Sequence, residues 1–258
     1  MEAICDDLEA EHAALDAVLD GLSEDQWNAD TPAEGWTIKD QISHLAFFDE
    51  TGTAAAVDHD AFRAGATELM KSSRGVDTAT DIGRAKTGAE VLEWWRAARA
   101  AMLGAFRALD PKDRLPWYGP DMGARSFATA RLMETWAHGQ DVIDALGVER
   151  EATDRLRHVA HIGVGARRFA YTVNSLEMPE PGVYVELTSP SGDTWTWGDP
   201  EWNDSIKGNA LDWCLLVTQR RHIDDTSLEI VGDAAKEWAS IAQSFAGPPG
   251  GGRQPLGS

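Results

Sequence analysis

Residues 131–147 read RLMETWAHGQDVIDALG, with Glu134 and His138 four positions apart and a glycine closing the run. At helical periodicity that spacing puts both side chains on one face about one turn from each other, where two donors can reach a single ion. Asp141 continues the face. Leu132, Trp136 and Ala137 make the surroundings of Glu134 largely apolar, and a carboxylate held in such a place needs a cation or strong donors to stay charged. The pair alone is weak evidence, because such spacings are frequent on solvated helices and a single histidine is commonly a hydrogen-bonded core residue.

Outward from this run, Ser126 offers a cap for the helix and Gly147 a stop. Before it, residues 110–124 hold three prolines and two glycines, which makes them a loop. EVLEWWRAARAAMLGAFRAL, residues 90–109, is a long helix by its apolar spacing, whereas residues 58–87 are polar and poorly periodic, reading as one short helix and a mobile loop through residues 71–81. Further back, Thr37 followed three residues on by Asp40 forms the start of a helix whose buried stripe is Ile38, Ile42, Leu45 and Phe48, and His44 lies within it. Ile4, Leu8, Leu15, Leu19 and Leu22 mark an amphipathic first helix over residues 2–22. Four long helices in this order predict an antiparallel bundle, in which His44 can cross the interior to complete a set of two imidazoles and one carboxylate. An open position on the ion would remain for water or a substrate atom.

After residue 150 the pattern changes. A helix is expected over residues 154–176, then a period-two hairpin in GVYVELTSPSGDTWTWG (residues 182–198), helix over 206–218, a strand over 227–231 and a last helix over 233–245. The fold class is therefore α+β: a four-helix bundle over residues 1–150, a smaller α/β domain over 151–246, and a disordered tail, residues 247–258. His158 and His161, three apart, lack a defensible third ligand. Trp195 and Trp197 share a strand face and could line a pocket, with core packing the commoner role.

The formal net charge of −20, from 23 basic and 43 acidic residues, repels phosphate backbones and anionic lipid surfaces, which argues against nucleic-acid and membrane partners. The acidic start MEAICDDLEAEH lacks the basic and apolar pattern of a secretory signal, and two cysteines in a chain of 258 residues suit a reducing compartment. A cytoplasmic protein, monomeric or homodimeric, is expected.

GWTIKDQISHLAFFDE (residues 35–50) and RLMETWAHGQDVIDALG resemble the DinB-like metal-binding bundles, and within them the mycothiol-dependent maleylpyruvate isomerases of actinobacteria. The resemblance implies a divalent metal, zinc, on His44, Glu134 and His138; the parent superfamily more often has a third histidine where Glu134 stands, so the glutamate favours the isomerase branch. NALDWCLLVTQRR (residues 209–221) and LEIVGDAAKEW (residues 228–238) resemble, more loosely, the sterol-carrier-like domain that these isomerases carry. An arginine of that domain reaches the active site in the isomerases, which makes Arg220 and Arg221 the candidate catalytic cations. Both residues could equally cap the carbonyl end of the preceding helix. Arg125, Arg131 and Asp141 are further candidates for contacts to substrate or thiol.

The activity implied is a metal-dependent isomerase or S-transferase that uses mycothiol as a thiol cosubstrate on a small electrophile. Three alternatives stay open: a metal-dependent hydrolase of a small ester or amide, a non-catalytic small-ligand-binding module, and a structural metal whose coordination Asp141 completes.

Overall fold

Thr37 and Asp40 start the helix that carries His44, as their spacing predicts: the Asp40 N–H donates to Thr37 Oγ1 at 3.3 Å and the Thr37 N–H to Asp40 Oδ2 at 3.0 Å. The reciprocal bonds satisfy two backbone donors that a helix start leaves open. In this computed structural model, which describes residues 1–71 and 77–257, the chain divides into two compact units, Met1–Glu149 and Arg150–Ser258.

In the first unit the elements are α1 (Glu2–Leu19), the short α2 (Glu24–Trp27), α3 (Ile38–Val57), α4 (His59–Lys71), α5 (Asp77–Arg84), α6 (Gly88–Arg107), a two-stranded ladder of β1 (Arg114–Leu115) with β2 (Met122–Gly123), and α7 (Ala124–Leu146). The four long helices α1, α3, α6 and α7 are the antiparallel bundle. α1 packs on α6 and α7, and α3 packs on the same two, so the His44 helix and the Glu134 helix are neighbours. Ile38, Ile42, Leu45 and Phe48 are all buried, with Ile38, Ile42 and Leu45 joining Leu15, Leu19, Val91, Trp95 and Val142 in one apolar cluster. Each buried Ile or Leu of that kind stabilises the fold by roughly 1.5–3 kcal/mol. α7 ends where expected, with Gly147 left-handed at φ 63°. It starts two residues before Ser126, because β2 runs straight into it and Gly123 occupies the cap position.

Among its described residues the stretch 58–87 holds two helices rather than one. Phe62, Ala79 and Thr80 are buried, and α5 packs closely on α3: a Cβ built on Gly83 would lie 1.7 Å from Ser43 Oγ. Arg84 seals the contact, donating from Nε and Nη2 to the two oxygens of buried Asp40, each at 2.9 Å. Of the mobile loop expected over residues 71–81, residues 72–76 lie outside the described residues, and its remainder is helical.

The second unit contains α8 (Leu156–Gly165), α9 (Arg167–Val173), β3 (Tyr184–Thr188), β4 (Thr194–Trp197), β5 (Ser205–Asn209), α10 (Ala210–Val217), β6 (Glu229–Val231) and α11 (Asp233–Ile241). Its sheet has the order β4-β3-β5-β6, with β3 parallel to β5 and the other pairs antiparallel. The helix expected over 206–218 is corrected to a strand followed by a helix. Ile206 and Gly208 pair with Val185 and Leu187, and Asn209 then caps α10 by accepting from the Asp212 N–H at 2.8 Å. α10 packs on α8 and on β3 and β5, burying Trp213 against Trp238 of α11 with ring centroids 5.1 Å apart. The tail beyond residue 246 has no helix or strand among its described residues, and the Gly250 N–H donates to Gln243 Oε1 at 2.9 Å. No helix of the described residues is long and apolar enough to cross a membrane.

Candidate metal centre

α3 carries His44 two turns beyond its cap, and α7 carries Glu134 and His138 one turn apart, so the packing of α3 on α7 brings the three side chains together. One donor atom from each lies within 4.8 Å of the other two. Glu134 Oε2 is 3.8 Å from His44 Nε2 and 3.3 Å from His138 Nε2, and the two imidazole centroids are 4.4 Å apart. Donors about 2.0–2.1 Å from a tetrahedral zinc stand about 3.3 Å from one another. Two imidazole nitrogens and a carboxylate oxygen at these separations therefore fit one divalent ion. The Glu134 side chain keeps 24% of its exposure and each imidazole 13%, so the donors are not sealed from solvent.

The electrostatics match ligands that bind in their unprotonated forms. Burial drives the His44 pKa down to about 4, helped by repulsion from His138 and opposed by Glu134. Burial alone would push the Glu134 carboxyl up, but the adjacent His138 and His44 side chains, with the nearby Arg131 charge, bring it well below the usual carboxylate range. Aromatic rings enclose the imidazoles. Trp36 stacks near His138 at 5.9 Å between centroids and lies 5.3 Å from His44, while Phe48 meets His44 at 4.6 Å.

Behind the donors, His138 Nδ1 is 2.5 Å from Oε1 of buried Gln41, whose Nε2 donates to Thr31 Oγ1 at 2.9 Å. A second buried group lies one turn deeper, where Arg131 donates from Nε and Nη2 to Asp49 Oδ1 at 3.1 and 2.8 Å and Trp95 Nε1 donates to Asp49 Oδ2 at 3.2 Å. Along α3, His44, Phe47, Thr51 and Ala54 share a face by helical spacing. The last three line a cavity of about 480 Å³ with Phe62, Ala66 and Tyr118.

The other residues singled out from sequence are not among the three converging donors. Asp141 is buried on α7. Arg131 is buried and held by Asp49, and Arg125 is exposed in the first turn of α7. Arg220 and Arg221 follow α10 in the second unit. Arg220 Nη1 donates to the Thr218 carbonyl at 2.6 Å, Arg221 Nη1 donates to the Arg220 carbonyl at 2.7 Å, and both backbone N–H groups reach the Leu215 carbonyl. His161 accepts from Trp197 Nε1 at 3.2 Å. Gln41, Thr31 and Asp49 went unnoticed in the sequence; Gln41 stands three residues before His44, so helical spacing alone could have placed it near that ligand.

The profile described as "Mycothiol maleylpyruvate isomerase N-terminal domain" matches residues 8–143, a span that holds all three converging donors. The chain belongs to the mycothiol maleylpyruvate isomerase N-terminal domain family. Among solved structures, the crystal structure of the mycothiol-dependent maleylpyruvate isomerase superposes on this family member with a TM-score of 0.58 at 14% identity, covering 85% of this chain and 89% of that one. At that identity the likeness is one of fold, and it extends past the bundle. Two relatives, both described as uncharacterized proteins of Mycobacterium tuberculosis (strains CDC 1551 / Oshkosh and ATCC 25618 / H37Rv), are each 47% identical over 249 residues, 96% of both chains.

Proposed function

We propose that this protein is a metal-dependent enzyme that uses a low-molecular-weight thiol, mycothiol, to isomerise or S-conjugate a small electrophile. The single observation that carries the reading is the convergence of His44, Glu134 and His138, partly exposed, around one point, within a family named for a mycothiol maleylpyruvate isomerase. These three residues would hold the ion, taken to be zinc from the donor set. Zinc, when bound, lowers the pKa of a coordinated thiol so that a sulfur nucleophile exists at neutral pH.

The chain's own residues provide the rest. One carboxylate and two neutral imidazoles leave a divalent site with net positive charge, which favours an incoming thiolate. Trp36 and Phe48 cover part of the imidazoles and so strengthen the electrostatics of the site. The sulfur must come from outside, since Cys5 and Cys214 are both buried and burial pushes both thiols up, away from the reactive thiolate. The cavity along the His44 face of α3 suits an apolar part of the electrophile or its thiol adduct. For a substrate bearing a carboxylate, the family resemblance makes Arg220 and Arg221 the cations to test, with Arg125 next.

The test is a thiol panel run against activated alkenes and haloaromatics, read by the loss of substrate absorbance. Turnover is expected with mycothiol, abolished by chelation and by His138→Ala, and Arg220→Ala or Arg221→Ala is expected to raise KM for carboxylate substrates with metal content unchanged. Full turnover in the chelated protein overturns the metal-dependent reading. Hydrolysis of an ester or amide with no thiol present overturns the thiol chemistry in favour of a metal-activated water.

A further inference from the structure

The three groups behind His138 have a polarity that one end dictates. The Trp36 backbone carbonyl can only accept a hydrogen bond, and Thr31 Oγ1 lies 2.8 Å from it, so the threonine hydroxyl spends its hydrogen there. Thr31 Oγ1 is then left as an acceptor for Gln41, which presents Nε2 to it at 2.9 Å. With its amide nitrogen committed, Gln41 shows Oε1 to His138 Nδ1 at 2.5 Å, and an amide oxygen can only accept. Nδ1 must therefore carry the imidazole proton, which leaves the Nε2 lone pair aimed at Glu134 Oε2, 3.3 Å away.

Both atoms at the end of this chain are now acceptors facing each other. In a neutral imidazole that arrangement is repulsive, and a cation between the two atoms removes the repulsion. His44 is held differently: its Nδ1 is buried with no hydrogen-bond partner, and its ring rests on Trp36 and Phe48. One imidazole is thus fixed in tautomer and orientation from behind, and the other by ring packing.

We infer that Gln41, backed by Thr31 and the Trp36 carbonyl, is a positioning residue that sets the Nδ1–H tautomer of His138 and so presents Nε2 to a divalent cation. The inference rests on the metal reading above and deepens it. Gln41 is fully buried and Thr31 nearly so, which keeps water from substituting for either bond. The loop before α3 is tied into the same unit, since the Thr31 N–H donates to the Trp36 carbonyl at 2.8 Å and the Ile38 N–H to the Ala29 carbonyl at 3.1 Å. Removing the orienting partner of a histidine ligand typically lowers metal affinity about 10–100-fold.

Zinc affinity is measured by competition with a chromophoric chelator, and the His138 tautomer by 15N imidazole shifts of the metal-free protein, on the wild type and on Gln41→Leu, Gln41→Glu and Thr31→Val, with circular dichroism to confirm folding. The inference expects an Nδ1–H tautomer in the wild type, a switch towards Nε2–H in Gln41→Leu with affinity down about 10–100-fold, affinity retained in Gln41→Glu, and a smaller loss in Thr31→Val. If Gln41→Leu does not fold, Thr31→Val and Gln41→Glu carry the comparison. Unchanged zinc affinity in both Gln41→Leu and Thr31→Val, or an Nε2–H tautomer in the wild type, overturns the inference while leaving a metal site standing. A wild type with the expected tautomer that binds no zinc overturns the metal reading, and with it the role given to Gln41.

Discussion

His44 is driven to a pKa of about 4 from an ordinary value of 6.5, chiefly by burial. The folded metal-free protein therefore binds this proton less readily than the unfolded chain. The contribution is fully present above about pH 6.5 and is lost as pH falls through the window down to about 4, amounting to on the order of 3 kcal/mol. Buried His12, lowered well below its usual range by burial and by Arg99 and Arg131, acts in the same direction. Urea melts of the metal-free protein should show stability falling from pH 7 to pH 4.5, with a shallower fall in His44→Gln; equal slopes would contradict this account of His44. Asp49 presents the opposite case, a buried carboxylate facing a buried guanidinium. Asp49→Ala leaves Arg131 without its counter-charge and should destabilise the protein by about 3–5 kcal/mol in the same melts. A change below about 1 kcal/mol would mean that Arg131 finds solvent or another partner.

Among the elements, α3 was the most legible, because its cap and its apolar stripe are local signals that tertiary packing reinforces. α7 was legible for the same reasons, down to the left-handed glycine at its end. The pairing of His44 with Glu134 and His138 could be anticipated because helix faces follow from spacing. The Thr31 contact could not, since it depends on how a loop folds back on α3. Ile206–Asn209 misled for a related reason: a strand of five residues, Ser205–Asn209, is too short for a period to show, and its pairing with β3 and β6 defines it. α4 and α5 were obscured by polarity, their burial resting on a few residues such as Phe62 and on the close approach of Gly83 to Ser43. That approach gives a test at this scale. Gly83→Ala would set a methyl into the Ser43 side chain, next in sequence to His44, and should cost about 1–3 kcal/mol in thermal or urea unfolding. A neutral effect would show that α5 can move off α3.

For the whole molecule, the net charge of −20 makes the chain strongly acidic, and the proposed chemistry rests on three converging groups inside the bundle. The family match and the fold likeness to an isomerase structure agree with a reading first drawn from two short runs of sequence. Everything proposed about catalysis depends on an ion held by His44, Glu134 and His138. The most direct measurement is the zinc stoichiometry and affinity of the purified protein, set beside His44→Ala, Glu134→Gln and His138→Ala. One equivalent per wild-type chain is predicted, with each substitution weakening binding by more than the roughly 10–100-fold expected for an orienting partner. A wild type that retains no divalent metal, or variants that hold it as tightly as the wild type, would contradict the account.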